Sequence, residues 1–272
     1  MSVVISIIVP CFNSESTLET TLESVFNQDF QEWEAIIVND GSTDATEQIA
    51  LRWVKKDRRF IYYTKENEGL TKTRNLGISK SNGTYILPLD SDNQLVHDFT
   101  QDAIAVFEKN RQIDVVHGDA EYFGLKKGLW KIGEYNFEKM LVDNYIDACA
   151  IYKKTLWEKA GGYDENLPHE GLEDWELWLA FGRLNVNFFH LQKIAFRYYV
   201  VENSMIRSFT NEMAIDTRDY ILKKYSKEYR YYFCKLYSEN NAFVGKLSNK
   251  KYVIDIFCKT FFGFSVFDKY NY

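Results

Sequence analysis

Apolar and polar positions in the first half of the chain follow a repeating pattern. Short apolar runs at Val3–Val9, Glu34–Val38, Phe60–Thr64 and Tyr85–Leu89 alternate with helix-period stretches at Thr17–Asn27, Thr43–Lys56, Leu70–Lys80 and Asp98–Asn110. Strand then helix, repeated, predicts a parallel sheet of the α/β class. Ile5-Ser6-Ile7-Ile8-Val9 and Ala35-Ile36-Ile37-Val38 are almost continuous in β-branched residues. Such runs suit strands covered on both faces, which places these two at the centre of the sheet. After Val115-Val116-His117 the alternation loosens. The pattern there predicts strands near Ile146–Tyr152, Val186–His190 and Ala195–Val201, with helices near Lys153–Ala160 and Leu172–Leu184.

No Pro/Gly/Ser-rich linker interrupts the chain, which holds only 3 prolines in 272 residues. One continuous domain over residues 1–210 is therefore expected, made of a regular half (1–118) and a mixed-sheet half (119–210). Residues 211–272 are rich in Tyr, Phe and Lys and read as a helical extension ending in an aromatic stretch around Phe257, Phe261, Phe262, Phe264 and Phe267.

With 46% hydrophobic residues the chain can bury a large core, which excludes a disordered or fibrous class. A formal net charge of −6 provides no basic stripe to neutralise a row of phosphates, so a nucleic-acid binder is excluded. An anionic substrate would need local positive charge or a metal. Cys11, Cys149, Cys234 and Cys258 are widely spaced, suggesting neither a disulfide framework nor a zinc knuckle. The start has no signal-peptide pattern, and no apolar run approaches the roughly 20 residues of a membrane span. The expected location is the cytoplasm.

In an open parallel sheet, ligands bind outside the carboxyl ends of the strands. Three polar segments follow apolar runs there: Pro10-Cys11-Phe12-Asn13, Asn39-Asp40-Gly41-Ser42-Thr43-Asp44 and Asp90-Ser91-Asp92. The last carries two carboxylates spaced to hold one hard divalent cation, Mg²⁺ or Mn²⁺, which would stabilise a diphosphate leaving group. A solvated turn is the alternative for that triplet. A calcium loop is rejected because its sixth and twelfth positions would be Leu95 and Gln101 instead of Gly and Glu. No glycine cradle for phosphate is present. Ser42 or Thr43 can cap the next helix, which would leave the Asp40 carboxylate free for a nucleotide base; a plain turn residue is the alternative. Arg74 and Lys72 open a helix and can bring positive charge to a diphosphate, or form a solvated face.

A last cluster runs Gly161-Gly162-Tyr163-Asp164-Glu165 and then His169-Glu170-Gly171-Leu172-Glu173-Asp174-Trp175-Glu176-Leu177-Trp178. Carboxylates in the first turn of a helix suit its dipole without any catalytic role. Trp175 and Trp178 fall on one side of that helix, and an indole face beside a carboxylate suits a sugar ring. A carboxylate held there could take the proton of an acceptor hydroxyl.

Taken together, Val9-Pro10-Cys11-Phe12-Asn13, Val38-Asn39-Asp40-Gly41-Ser42-Thr43-Asp44, Thr73-Arg74-Asn75-Leu76-Gly77, Leu89-Asp90-Ser91-Asp92 and Gly161-Gly162-Tyr163-Asp164-Glu165 with Glu173-Asp174-Trp175 resemble the family-2 inverting glycosyltransferases of GT-A fold. The resemblance covers roughly residues 4 to 207. It implies a nucleotide-sugar-binding half over 1–118 and an acceptor-binding half over 119–210. Pro10, Phe12 and Asp40, with Asn13, would surround the base, usually uracil, and Arg74, Asp90 and Ser91 would contact the nucleotide. Asp92 would be the direct ligand of Mn²⁺ or Mg²⁺, with Asp90 second or acting through water. Asp174 would be the catalytic base, supported by Glu173, with Trp175 on the acceptor side. The implied partners are a UDP-sugar donor and a glycan, lipid-linked or protein-linked acceptor.

Two departures stand out. Many relatives carry a His shortly before a late Ser-Met pair, and Tyr199-Val200-Val201-Glu202-Asn203-Ser204-Met205 has none, which leaves the third metal ligand open. The Q-x-x-R-W motif of processive relatives is also missing, so one sugar per encounter is expected. A sugar-nucleotide nucleotidyltransferase is the enzymatic alternative, disfavoured because no Gly-rich basic loop follows the first strand. A catalytically inactive sugar-nucleotide-binding protein is the other. The aromatic, Lys-bearing tail suggests peripheral contact with the inner face of the membrane, against packing on the core or on a second subunit as an oligomer.

Overall fold

The computed structural model describes residues 3–202 and 209–267. Two compact units meet in sequence between Tyr220 and Ile221.

The first unit is built on one nine-stranded sheet. Its strands are β1 (Ile5–Cys11), β2 (Trp33–Asp40), β3 (Phe60–Lys65), β4 (Tyr85–Pro88), β5 (Gln94–Leu95), β6 (Val115–Gly124), β7 (Gly128–Trp130), β8 (Ile151–Lys153) and β9 (Phe188–Val200). They lie in the order β3-β2-β1-β4-β8-β6-β9-β5, with β7 paired to β6. The first four are mutually parallel, as the strand-helix alternation predicts. β8 runs antiparallel to both β4 and β6, and β9 is parallel to β6. Helices α1 (Leu18–Phe26), α2 (Thr46–Lys56), α3 (Leu70–Ser79), α4 (Phe99–Lys109), α5 (Phe137–Val142), α6 (Lys154–Ala160) and α7 (Glu173–Arg183) connect and cover these strands.

β1 and β2 occupy the middle of the parallel part and every residue of both is buried, which accounts for their unbroken β-branched runs. Beside them Trp33 and Trp53 meet Phe60 with ring centroids at 5.3 and 5.1 Å. Burying one such ring stabilises the fold by about 1.5–3 kcal/mol. Close approach of α3 to the sheet requires Gly77, because a Cβ there would stand 2.5 Å from Ile8 Cγ2. At the opposite end of the strands the buried Glu34 accepts from Ser6 Oγ (2.6 Å) and from Asn82 N–H and Nδ2 (2.6 and 3.0 Å), fixing the turn that leads into β4.

Several boundaries differ from the sequence pattern for local reasons. The helix expected from Thr43 begins at Thr46, whose N–H is taken by Asp44 Oδ1 at 3.0 Å. The two strands expected over 186–190 and 195–201 are one strand, β9, with a register shift opposite Gly118, Asp119 and Ala120. A bulge of this kind breaks the apolar alternation without ending the strand. The strand expected from Ile146 starts only at Ile151, because Asp147 turns back to accept from Cys149 N–H at 2.9 Å. The short elements β5, β7 and α5 have no counterpart in the predicted pattern.

α8 (Asn211–Lys224) crosses the division between the units, and α9 (Ser226–Leu247) and α10 (Lys250–Phe262) belong to the second. Asn249 caps α10 by accepting from Lys251 and Tyr252 N–H. The buried Asp255 accepts from Ser265 Oγ (2.7 Å), Val266 N–H (2.6 Å) and Phe267 N–H (2.9 Å), which folds the following turn against the helix. Among the described residues no helix is long and apolar enough to cross a membrane.

Candidate active site

β2 and β3 lie on one side of β1 and β4 on the other, so the strand order reverses between β1 and β4. A crevice opens outside the carboxyl ends at such a point. Here it is a cavity of about 1050 Å³, and it is lined by Pro10, Phe12 and Asn13 from the end of β1, by Asp90, Ser91 and Asp92 from the end of β4, and by Glu173 and Asp174 from the start of α7. Asp40 and Arg74 line it as well.

Phe12 is 52% exposed and offers an open ring. Asn13 has φ +48° and ties the first loop to the second: its N–H donates to Ser42 Oγ and its Oδ1 accepts from Thr43 N–H, both at 2.9 Å. Ser42 and Thr43 therefore brace the loops and do not cap the helix, as the sequence suggested they would. The Asp40 carboxylate is not free either. It is buried and accepts from Glu68 N–H and Gly69 N–H, each at 2.9 Å, and from Lys65 Nζ. Its first task is to hold the turn that enters α3.

Arg74, on α3, is 1% exposed, and its terminal nitrogens reach two carboxylates: Asp90 Oδ1 at 2.5 Å and Glu173 Oε1. Glu173 also accepts from Gly171 N–H at 2.8 Å. One guanidinium thus joins the β4 loop to the first turn of α7. Lys72, by contrast, is exposed and lies 3.4 Å from Glu68, as expected of a solvated helical face.

The Asp90-Ser91-Asp92 turn is closed by Asn93 N–H on Asp90 O (3.0 Å). Ser91 Oγ shares a hydrogen bond with Ser14 Oγ (2.8 Å), and Thr21 Oγ1 donates to Ser91 O (3.0 Å). Tyr199 N–H donates to Asn93 Oδ1 (3.0 Å). Among the described residues no other residue donates to the Asp92 carboxylate. Burial, and then the charge of Asp90, push Asp92 up to about 7. A divalent cation would relieve that strain, and two carboxylates with phosphate oxygens and water suit Mg²⁺ or Mn²⁺. Among the described residues no three acidic, His or Cys side chains converge on one point. Ser204 and Met205, the pair that no His precedes, lie outside the described residues.

Asp174 Oδ1 accepts from Asn144 Nδ2 (3.0 Å) and from Trp175 N–H (2.7 Å). Burial raises its carboxyl well above the ordinary range, and Glu173 and Asp147 raise it further. A carboxylate so placed is basic enough to take a hydroxyl proton. The adjoining indoles correct an expectation. Trp175 and Trp178 are 1% and 0% exposed, and their N–H groups donate to Met140 O (2.6 Å) and Ile146 O (2.9 Å). Both belong to the core beneath α7 and present no face to a ligand. Half-buried Trp130 and Tyr198 are among the aromatics that do line the cavity, packed edge to face with centroids at 5.6 Å.

Asn144, Asp147, Trp130 and Tyr198 escaped the sequence reading. They do not follow the carboxyl end of a parallel strand: β8 runs antiparallel to β4 and brings its amino end to the same crevice. The polar residues directly before the Ala148–Tyr152 apolar run were the available signal. Burial, followed by the charge of Asp90, pushes Asp147 up to about 7. Glu170 was quoted only as part of a motif. It accepts from Thr71 N–H (3.0 Å) and Oγ1 (2.9 Å), and its carboxylate fills the space where a Cβ on Gly69 would stand.

The family model described as "Glycosyl transferase family 2" matches residues 6–160, more than half of the chain. The chain belongs to glycosyl transferase family 2. It is 32% identical over 188 residues to an uncharacterized glycosyltransferase of Rickettsia bellii, an alignment covering 67% of this chain and 27% of that relative. The chain thus spans only about a quarter of that relative's length. Among solved structures, S. aureus TarS 1–349 in complex with UDP-GlcNAc superposes with a TM-score of 0.66 at 22% identity, covering 78% of this chain and 66% of that one. The mannosyltransferase PcManGT from Pyrobaculum calidifontis, in complex with GDP-Man and Mn²⁺, gives 0.58 at 16% identity, covering 74% and 58%. These likenesses show that this family-2 chain has the GT-A fold, with a helical extension following it.

Proposed function

We propose that this chain transfers a sugar from a UDP-sugar to an acceptor hydroxyl on a glycan, a lipid-linked oligosaccharide or a glycoprotein, with inversion and one sugar per encounter. The observation that carries the reading is Arg74, which holds Asp90 and Glu173 at once and so keeps their neighbours Asp92 and Asp174 on one cavity. The neighbours' complexes with UDP-GlcNAc and GDP-Man support a nucleotide-sugar donor, and the first of them favours a UDP-sugar. In this reading residues 1–118 hold the donor and 119–210 the acceptor, with 211–272 as an extension.

Pro10, Phe12, Asn13 and Asp40 line the base end, Asp40 acting through the turn that it braces. Arg74, Asp90 and Ser91 set the diphosphate end. Asp92, with Asp90 second or through water, would hold Mn²⁺ or Mg²⁺, and the bound cation would offset charge growing on the departing diphosphate. Asp174 takes the acceptor proton as the acceptor oxygen bonds to the anomeric carbon and the bond to the diphosphate breaks on the opposite face. A single displacement of this kind inverts the centre. Asn144 and Glu173 hold the first turn of α7 for that step. The extension suits contact with the inner face of a membrane, because Phe257, Phe261, Phe262 and Phe264 are 51–69% exposed beside Lys250, Lys251 and Lys259.

A panel of UDP-sugars with Mn²⁺, read by UDP release with and without acceptor glycosides, tests the reading. Asp92→Ala should lose cation-dependent donor binding, while Asp174→Ala should lose transfer and keep it. Transfer at the unmodified rate by Asp174→Ala would overturn the base assignment.

A further inference from the structure

Eight carboxylates line the cavity, against two cations among the described residues, Arg74 and Arg218. Both cations are already engaged. Arg74 is held between Asp90 and Glu173, and Arg218 donates to Asp143 (3.0 Å) and to Val142 O (3.1 Å). A dianionic diphosphate and a divalent cation cancel one another, so donor loading leaves the acidic excess in place.

The excess is concentrated beside the proposed base. Asp147 lines the cavity, and its Oδ1 accepts from Cys149 N–H at 2.9 Å while its Oδ2 has no partner among the described residues. Asp174 is similarly half engaged, with Oδ1 taken by Asn144 and by Trp175 N–H. Two carboxylate oxygens therefore remain for the acceptor, one for the reacting hydroxyl and one more. At pH 8 the Asp147 carboxylate, which lines the cavity with one oxygen unpartnered among the described residues, is ionised, so it accepts strongly from a sugar hydroxyl and repels a phosphate or a second carboxylate placed at the same point.

We propose that the acceptor is an uncharged sugar, and that Asp147 selects it by accepting a hydrogen bond from a hydroxyl beside the one that attacks. This rests on the glycosyl-transfer reading of the same cavity. Asp147 is then a specificity-determining residue, distinct in role from Asp174. Asp147 lines the cavity with Oδ1 held by Cys149 N–H, and an Asn at this position keeps an oxygen to accept that bond.

The test is an acceptor panel at pH 8, matched in ring configuration: neutral methyl hexosides, the corresponding uronic acids and the corresponding 6-phosphates, with whichever UDP-sugar turns over. The unmodified chain should favour the neutral member in kcat/KM by about tenfold or more, the scale of one charge-assisted hydrogen bond against a like-charge contact. Asp147→Asn should raise the KM for the neutral acceptor with a smaller change in kcat, and should shrink the ratio of neutral to uronate use. A merely structural Asp147 would lower both acceptors together and leave that ratio alone, which would overturn the proposal. Equal or better use of uronates or 6-phosphates by the unmodified chain would overturn it as well. Binding of the same glycosides to the chain loaded with UDP and Mg²⁺, read by thermophoresis, decides the matter independently of turnover. Neutral preference there upholds the proposal and charged preference sinks it, whereas absent turnover with every donor counts against the transfer reading itself.

Discussion

Asn144 Nδ2 donates to Asp174 Oδ1 at 3.0 Å, so a loop residue just before β8 fixes the orientation of the proposed base on α7. With that oxygen engaged, the other is the one left for an acceptor. Asn144→Ala should lower kcat by about 10²-fold, the scale of a misplaced reacting group, and leave UDP affinity within twofold. Steady-state kinetics alongside calorimetric titration with UDP and Mn²⁺ would check this. An unchanged kcat would remove Asn144 from the positioning of the base.

The buried Arg74–Glu173 contact carries a second expectation. Among the described residues Glu173 has no other cation, so removing Arg74 leaves its buried charge uncompensated, at a cost of about 3–5 kcal/mol, whereas removing Glu173 leaves Arg74 still paired with Asp90. Arg74→Met should lower the urea midpoint accordingly, and Glu173→Leu in the same background should recover part of the loss, because the remaining Asp90 is partly solvated. Independent, additive losses in a double-mutant cycle would show that the two side chains are not coupled.

The pH dependence of stability follows from Asp92 and Asp147, both pushed from 3.8 up to about 7. Between those values the folded chain keeps protons that the unfolded chain has released. Stability from these groups is therefore present at low pH and lost as pH rises through 7. The metal-free chain should melt at a lower temperature at pH 8 than at pH 5, Asp92→Asn should flatten that fall, and Mn²⁺ should reverse it at pH 8. Identical pH profiles for the unmodified chain and Asp92→Asn would contradict the assignment.

Trp175→Phe separates a core indole from a sugar platform. Losing the N–H that serves Met140 O leaves a buried carbonyl unsatisfied and should cost about 1–3 kcal/mol in urea denaturation. The KM for acceptor should change less than twofold. A large KM increase at full stability would put the indole in contact with the acceptor after all.

For the extension, Phe261→Asp together with Phe262→Asp should weaken co-sedimentation with phosphatidylglycerol vesicles about tenfold or more, since each buried ring contributes about 1.5–3 kcal/mol. Vesicle binding unaffected by the pair would leave these rings to a protein partner.

The parallel half of the fold was legible because Ile5–Val9 and Ala35–Val38 carry their burial in their composition, and because Asp40, Arg74, Asp90 and Asp92 follow strands whose direction the alternation gives away. The other half was not, because direction matters and periodicity is blind to it. Nothing in the 146–152 run says that β8 points the other way, so its leading residues Asn144 and Asp147 went unnoticed although they face the same cavity. Composition also misled at Trp175 and Trp178, since a helix with apolar residues nearly all round buries its indoles, and spacing alone does not say which side meets a ligand. Asp40 and Ser42 were misjudged because their hydrogen-bond partners, Glu68, Gly69 and Asn13, are remote in sequence.

The turn that carries Asp92 is tethered from three directions: at Ser91 by Ser14 and Thr21 of the first crossover, and at Asn93 by the backbone of Tyr199 in β9. A loop so restrained has little conformational freedom left to surrender when a cation arrives. Its affinity should therefore reflect charge and dehydration more than ordering, and loading should be quick, with any slow step of the cycle belonging to parts of the chain that are less firmly moored.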